Sequence, residues 1–149
     1  MRPTTSGATT SRSRPARYGS STQAGGEPWY VVGKDVAQNT LIVAQGGSNR
    51  YLASHQLEAS GATWVAGMAP AEAFACTAKT RYRQDDQACT VRVSGDRLFV
   101  QFDQAQRAVT PGQSVVFYDG DACLGGAVIE ATDAAYGGLP TSMQAKVSA

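Results

Sequence analysis

Histidine is almost absent from this 149-residue chain, and the few cysteines are not spaced as metal ligands. His55 is the single histidine, and Cys76, Cys89 and Cys123 form no C-x-x-C pair, so the sequence contains no recognisable zinc site. A nucleophilic cysteine needs a nearby base or helix N-terminus, and neither is evident. We therefore interpret the three cysteines as small buried residues.

Long apolar runs are absent as well. No stretch approaches the roughly 18 residues of a membrane span, and no apolar segment follows Met1 as it would in a secretory signal. These absences exclude a membrane-spanning helix within this stretch of sequence. We expect a cytoplasmic protein with no membrane partner.

The common catalytic motifs are missing. The chain has no glycine-rich phosphate loop followed by Lys-Ser or Lys-Thr, no G-x-S-x-G and no H-E-x-x-H. The acids Asp85-Asp86, and Asp119 with Asp121, fall in predicted turns, where acids are common for conformational reasons. Nothing indicates a pocket in which one acid would donate and the other accept a proton. From its residues alone the chain is predicted to be a binding module.

Charge is unevenly distributed along the chain. The formal net charge is +1, but the stretch from the first acid, Glu27, to the last, Asp133, holds 8 basic and 12 acidic residues. General coating of nucleic acid is therefore not expected. Any RNA binding must come from a local basic patch.

The sequence predicts an all-β chain in four parts. Residues 1–26 are rich in Ser, Thr, Gly and Arg, contain no acid and are expected to form a disordered leader. Residues 27–68 are predicted to be part of a small central β-rich module, which begins with a hairpin around turn residues 33–39. Residues 70–133 are predicted to form a six-stranded-type β-barrel, and residues 134–149 a flexible tail.

Cations are concentrated in the stretch Cys76–Val93. Two strands around a four-residue turn at residues 84–87 would pair Arg83 with Ala88, Arg81 with Thr90, and Lys79 with Arg92. Because side chains alternate along a strand, these four cations would share one face. Such a row suggests an anionic partner such as a phosphate backbone. The alternative is a solvated face whose charges are neutralised by Asp85 and Asp86.

The apolar positions fall on the opposite face of the same meander. The predicted register places Val91 opposite Val100, Val93 opposite Leu98, and Cys89 opposite Phe102. Downstream, residues 110–113 (Thr-Pro-Gly-Gln) have the composition of a tight turn, and Gly125-Gly126 would let the last strand bend. A half-buried meander with a bending glycine pair favours a small closed barrel.

Several motifs taken together closely resemble the C-terminal part of the MnmA-type tRNA-specific 2-thiouridylase family. They cover residues 27–130 in order. The motifs are Glu27-Pro-Trp-Tyr-Val-Val-x-Lys-Asp35, Leu41-Ile-Val-x-Gln-Gly46, Cys76-Thr-x-Lys-Thr-Arg-Tyr-Arg-Gln84, Ala108-Val-Thr-Pro-Gly-Gln-Ser114, Phe117-Tyr-x-Gly120 and Cys123-Leu-Gly-Gly126.

The resemblance implies a fold and a partner. The family joins an ATP-pyrophosphatase domain with two catalytic cysteines to a central domain and a barrel similar to domain 2 of elongation factor Tu. The complete enzyme uses ATP to replace the 2-oxygen of the wobble uridine with sulfur. The family's tRNA-contacting positions map onto Arg81, Tyr82 and Gln113. With the basic face they give the expected tRNA-binding set: Lys79, Arg81, Tyr82, Arg83 and Gln113, with Arg92 as a further candidate.

The chain also departs from the family pattern. The ATP loop and both catalytic cysteine motifs are missing, so the resemblance implies a tRNA-binding portion with no catalytic residue, cofactor or metal of its own. A sulfur-relay protein or cysteine desulfurase would act only through the complete enzyme, and a monomer is expected. Two alternatives stay open: a protein-interaction barrel of a translation-associated factor, and a truncated remnant without function.

Overall fold

A computed structural model of the protein describes the backbone of residues 8–12 and all atoms of residues 26–139. The chain divides into two compact units, the first ending at Leu52 and the second beginning at Ala53. The strands are β1 Ala8–Arg12, β2 Trp29–Asp35, β3 Thr40–Gln45, β4 Ala53–Trp64, β5 Ala73–Lys79, β6 Gln87–Ser94, β7 Arg97–Arg107, β8 Ser114–Asp119 and β9 Ala122–Thr132. One 3₁₀ turn spans Arg50–Leu52, and within the described ranges no helix is long and apolar enough to cross a membrane.

The first unit is a three-stranded antiparallel sheet in the order β1-β3-β2. The predicted hairpin is present, since β2 and β3 pair around a turn. In this turn the backbone amide of Gln38 donates to Asp35 Oδ1 at 3.0 Å. Ala8–Arg12 differ from the expected disordered leader because they pair with β3 along its other edge. An unpaired strand edge presents backbone donors and acceptors that a further strand can satisfy. Residues 1–7 and 13–25 of the expected leader lie outside the described residues.

The second unit is a closed antiparallel barrel in the order β4-β7-β6-β5-β8-β9. Closure comes from β4, which pairs with β7 along one edge and with β9 along the other. The all-β fold and the six-stranded barrel expected from the sequence are therefore confirmed. The pairs Val91–Val100, Val93–Leu98 and Cys89–Phe102 form as predicted.

The barrel begins at Ala53, ahead of the boundary near residue 70 that the sequence suggested. Leu57 and Ala59, assigned to the central module, are 1% and 0% exposed in the barrel core. Asp133 fixes this first strand, because its Oδ1 accepts the His55 and Gln56 amides at 2.9 and 3.0 Å.

Order also extends past residue 133 into the expected flexible tail. Leu139 is buried, and its amide donates to Thr132 O at 3.2 Å. Leu139 thus adds one buried apolar side chain near the end of β9. Residues 140–149 lie outside the described part of the chain.

The barrel core consists of inward-facing positions from all six strands. Its largest fully buried apolar side chains are Phe117, Leu57, Leu98, Ile129, Val91, Val100 and Val115. Trp64 stacks on Phe117 at a centroid distance of 5.8 Å and meets Phe74 edge-on at 5.9 Å. Gly125 permits this packing, since a Cβ there would lie 2.2 Å from Thr63 O and 2.9 Å from the Trp64 ring. Gly125 thus lets the first and last strands of the barrel, β4 and β9, approach closely.

Candidate nucleic-acid interface

The predicted row of four cations on one strand face is wrong. In the structure Ala78 pairs with Gln87 and Ala73 pairs with Arg92, so β5 ends at Lys79 and residues 80–86 form a loop. Lys79 and Arg92 do share the outward face, but they lie at opposite ends of it. Arg81, Tyr82 and Arg83 belong to the loop and not to a strand.

The loop is longer than the predicted four-residue turn because a side chain closes it. Gln84 Oε1 accepts the backbone amide and the hydroxyl of Thr80, both at 3.0 Å. The backbone amide of Gln84 also donates to Arg81 O at 3.3 Å. These hydrogen bonds join Thr80 and Arg81 to Gln84 and so form a ring within the loop. The side chains of Arg81, Tyr82 and Arg83 are exposed outside this ring.

A chain of glutamines anchors this ring to the neighbouring strands. Gln84 Nε2 donates to Gln106 Oε1 at 2.6 Å, and Gln106 Nε2 donates to Gln87 Oε1 at 3.1 Å and to Gln104 O at 2.9 Å. Gln106 is only 3% exposed and Thr80 only 5%. Buried polar groups that are fully paired rigidify their surroundings. We call Thr80, Gln84, Gln106 and Gln87 the glutamine relay.

Three arginines meet above the glutamine relay. Arg81, Arg83 and Arg107 line a surface cavity of about 290 Å³ together with Gln84. The Arg81 guanidinium donates through Nη2 to the backbone oxygen of Arg107, which ties the loop to the end of β7. Arg107 brings a third positive charge to this cavity, from the far end of another strand.

Tyr82 and Gln113 lie at the same end of the barrel. Tyr82 is 95% exposed at the tip of the loop. Because Lys79 pairs with Val116, the residues that follow β5 and those that precede β8 lie side by side. Gln113 ends the turn at residues 110–113. Its backbone amide donates to Thr110 O at 3.2 Å, and Gly112 takes a φ of +90°. The predicted Pro-Gly turn is thus present, with glycine at the position that needs a positive φ.

Lys79 and Arg92 stand apart from the arginine cluster. Lys79 Nζ forms a 3.0 Å ion pair with Asp86 and lies 5.4 Å from the Tyr118 ring centroid. The hydrogen bond with Asp86 raises the pKa of Lys79. For Lys79 the neutralised-face alternative is therefore the better description. Arg92 is exposed on the outer sheet face, opposite Ala73.

The cysteines form neither a metal site nor part of this interface. Cys76 and Cys89 are opposed across β5 and β6 with their sulfurs 3.7 Å apart. The hydrogen bond between them lowers the pKa of Cys76 and, with burial, raises that of Cys89. Cys123 is exposed. Among residues 26–139 no three His, Cys, Asp or Glu side chains are grouped closely enough to hold a metal ion.

Sequence reasoning missed Arg107, the buried position of Gln106 and the hydrogen bonds that Gln84 makes with it and with Thr80. Arg107 is the last residue of β7. Alternation alone does not single out Gln106, because Gln104 lies in the same phase as Val100 and Phe102 and is exposed. Arg107 and Arg81 lie at the same end of the sheet because β5, β6 and β7 pair in order, but the sequence does not indicate that β7 reaches as far as residue 107.

Comparison with known proteins places these features in a family context. Residues 54–129 match the model of the aminomethyltransferase beta-barrel domain family. The matched segment covers nearly the whole barrel, and it contains the arginine cluster, Tyr82, the glutamine relay and the turn that carries Gln113.

Curated relatives are similar over a longer part of the chain. The tRNA-specific 2-thiouridylase MnmA of Paraburkholderia phytofirmans is 59% identical over 115 residues, which cover 75% of this chain and 30% of that protein. The MnmA proteins of Stenotrophomonas maltophilia and Xanthomonas axonopodis pv. citri are each 59% identical over 108 residues, or 72% of this chain. The chain therefore spans about 30% of the length of the curated relatives that it matches.

Proposed function

This chain belongs to the aminomethyltransferase beta-barrel domain family, and on that premise we propose that it is the tRNA-binding C-terminal portion of a tRNA 2-thiouridylase. The curated relatives that it matches are tRNA-specific 2-thiouridylases, and the chain spans about 30% of their length. Its own task would be to hold the tRNA while another part of the complete enzyme performs the chemistry.

One observation carries the proposal. The loop at residues 80–86 presents Arg81, Tyr82 and Arg83 to solvent at the barrel end where the Gln113 turn also lies. Guanidinium groups bind phosphate oxygens, and an exposed tyrosine ring can stack on an unpaired base. A rigid support under such a loop reduces the entropy that binding must overcome.

The residues take different roles in this proposal. Arg81 and Arg83 contact the RNA backbone, Tyr82 stacks on a base, and Gln113 donates a hydrogen bond from its turn. Lys79 contributes little, because Asp86 already neutralises it. A cytoplasmic location and a monomeric state stay predictions.

The chain's own residues do not fit the family's nucleotide cofactor. Within residues 26–139 no strand leads through a glycine-rich loop into a helix, which is the arrangement that cradles nucleotide phosphates. We therefore assign no ATP-dependent step to this chain. In the complete enzyme, ATP and the sulfur donor would act through residues that this stretch does not provide.

The test is a binding titration of the full chain against an unmodified tRNA whose wobble base is uridine. We expect saturable binding that weakens with salt. The variant Tyr82→Ala should lose about 1–3 kcal/mol of binding free energy, and Arg81→Ala should reduce the salt slope by about one unit.

Arg97→Ala is the matched control. Arg97 begins β7 at the other end of the barrel and pairs with Glu58 at 2.5 Å, so its loss removes the same charge from a different place. No binding by a chain that melts cooperatively would refute the proposal. Binding to an acidic protein that survives nuclease treatment would instead support a protein-interaction barrel.

A further inference from the structure

We infer that the cavity between Arg81, Arg83 and Arg107 binds one phosphodiester group of the RNA backbone, with Gln84 at its base. The inference rests on the proposed function and adds a site and a residue to it. Arg107 is assigned a direct role in binding, and the contact made by the arginines is separated from the one made by Tyr82.

The charge of the cavity points to an anion. Three of its four lining side chains are guanidinium groups, and among the described residues no carboxylate lines it. Three guanidinium groups gathered around one space attract an anion, because each interacts favourably with a negative charge placed between them. Asp86, a nearby acid, is engaged by Lys79 at 3.0 Å.

The dimensions and the donors suit phosphate. The cavity measures about 290 Å³, well above the roughly 30 Å³ that one water molecule occupies in the liquid. Guanidinium groups offer planar pairs of N–H donors that match two phosphate oxygens. With three guanidinium groups and one amide, the cavity can supply donors to several oxygens of a single group.

The cavity is built on a fixed base. Gln84 Oε1 accepts from Thr80 and Gln84 Nε2 donates to Gln106, which is 3% exposed. Arg81 is held by the backbone oxygen of Arg107. Because this hydrogen bond fixes the orientation of the Arg81 guanidinium, we assign it a contact with a phosphate, which positions the RNA, and not a contact with a base edge.

The decisive experiment measures tRNA affinity of the full chain at about 50 and about 200 mM salt for Arg107→Gln and Arg83→Gln. Since each contact with a phosphate changes the salt slope by about 0.7 to 0.9, each variant should lose roughly tenfold in affinity at the lower salt and roughly fourfold at the higher. Tyr82→Leu should lose affinity equally at both. Arg97→Gln is the control, because it removes one charge from the opposite end of the same strand as Arg107.

A second measurement separates the failure of this inference from failure of the proposed function. Inorganic phosphate, with chloride as the reference, is titrated while the Nε–Hε resonances of the arginines are followed by NMR. We expect Arg83 and Arg107 to respond to phosphate and Arg97 not to.

The outcomes are distinct. If tRNA binds normally but Arg83→Gln and Arg107→Gln behave like Arg97→Gln, the cavity site is refuted and the proposed function stands. If a folded chain binds no tRNA while phosphate shifts the Arg83 and Arg107 resonances, both the proposed function and the RNA occupant are refuted. If neither ligand is bound, the cavity is not an anion site.

Discussion

Replacing Gln106 with methionine should destabilise the barrel, although methionine is the more apolar residue of similar length. Gln106 is 3% exposed and makes three hydrogen bonds, to Gln84, Gln87 and Gln104 O. At roughly 1 kcal/mol net for each, their loss amounts to about 3 kcal/mol. The more favourable burial of an apolar side chain recovers roughly 1 kcal/mol. We expect a net loss of about 2 kcal/mol in the free energy of unfolding.

The assay is urea denaturation in a Trp29→Phe background. The sequence contains two tryptophans, and Trp64 packs between Phe74 and Phe117 in the barrel. With Trp29 removed from the first unit, fluorescence reports the barrel alone. This matters because a chain with two units need not unfold in a single transition.

Gln104→Met is the matched control, since Gln104 lies on the same strand with its side chain exposed. It should change stability by less than about 0.5 kcal/mol. If Gln106→Met is as stable as its parent, the glutamine relay does not stabilise the barrel. If both variants lose the same amount, the loss comes from changing β7 and not from the relay.

Three further predictions concern the backbone and the thiols. Gly112→Ala should lower the free energy of unfolding by about 1 kcal/mol. Gly112 has a φ of +90° and a Cβ there meets no atom within 4 Å, so the loss is conformational alone. Gly112→Asn should lose less in the same urea assay, because asparagine tolerates positive φ better than alanine, and equal losses would contradict this reason. Gly125→Ala should lower the free energy of unfolding by about 2–3 kcal/mol or more, since its Cβ would lie 2.2 Å from Thr63 O. At Gly126 the nearest atom to an added Cβ is 3.0 Å away, so a melting temperature of Gly125→Ala equal to that of Gly126→Ala would refute this prediction. Iodoacetamide should label Cys123 first and Cys89 last, because Cys123 is exposed whereas the Cys76 hydrogen bond and burial raise the pKa of Cys89. Peptide mapping by mass spectrometry gives the order, and equal rates for Cys123 and Cys89 would contradict the burial and hydrogen bonding of Cys89.

The features that depend on local alternation could be predicted from the sequence. Val91, Val93 and Cys89 meet their expected partners because a one-residue slip would turn the apolar row toward solvent. The turn before β8 was equally predictable, since Pro111 and Gly112 each favour one of its two central conformations.

The features that depend on side chains reaching across strands could not be predicted. Turn propensities predict that the chain reverses at residues 84–87. In the structure the loop instead forms around the Gln84 side chain, whose Oε1 accepts the backbone amide of Thr80 four residues earlier. The site changed accordingly from a strand face to a loop. Arg107 joined it because β7 extends to residue 107 and finishes at the same end of the sheet as the loop after β5, where the Arg81 guanidinium reaches the Arg107 backbone oxygen.

Closure of the barrel by β4 also has a consequence for how the protein is made. β4 is the first strand of the barrel to leave the ribosome, and one of its two partners, β9, is the last. Until β9 is synthesised, the edge of β4 from Leu57 to Trp64 has no partner within its own barrel, and pairings between strands so distant in sequence form slowly. While the barrel is being synthesised, the nascent chain therefore carries an open strand edge from β4 until β9 emerges, and the final ladder of hydrogen bonds removes it.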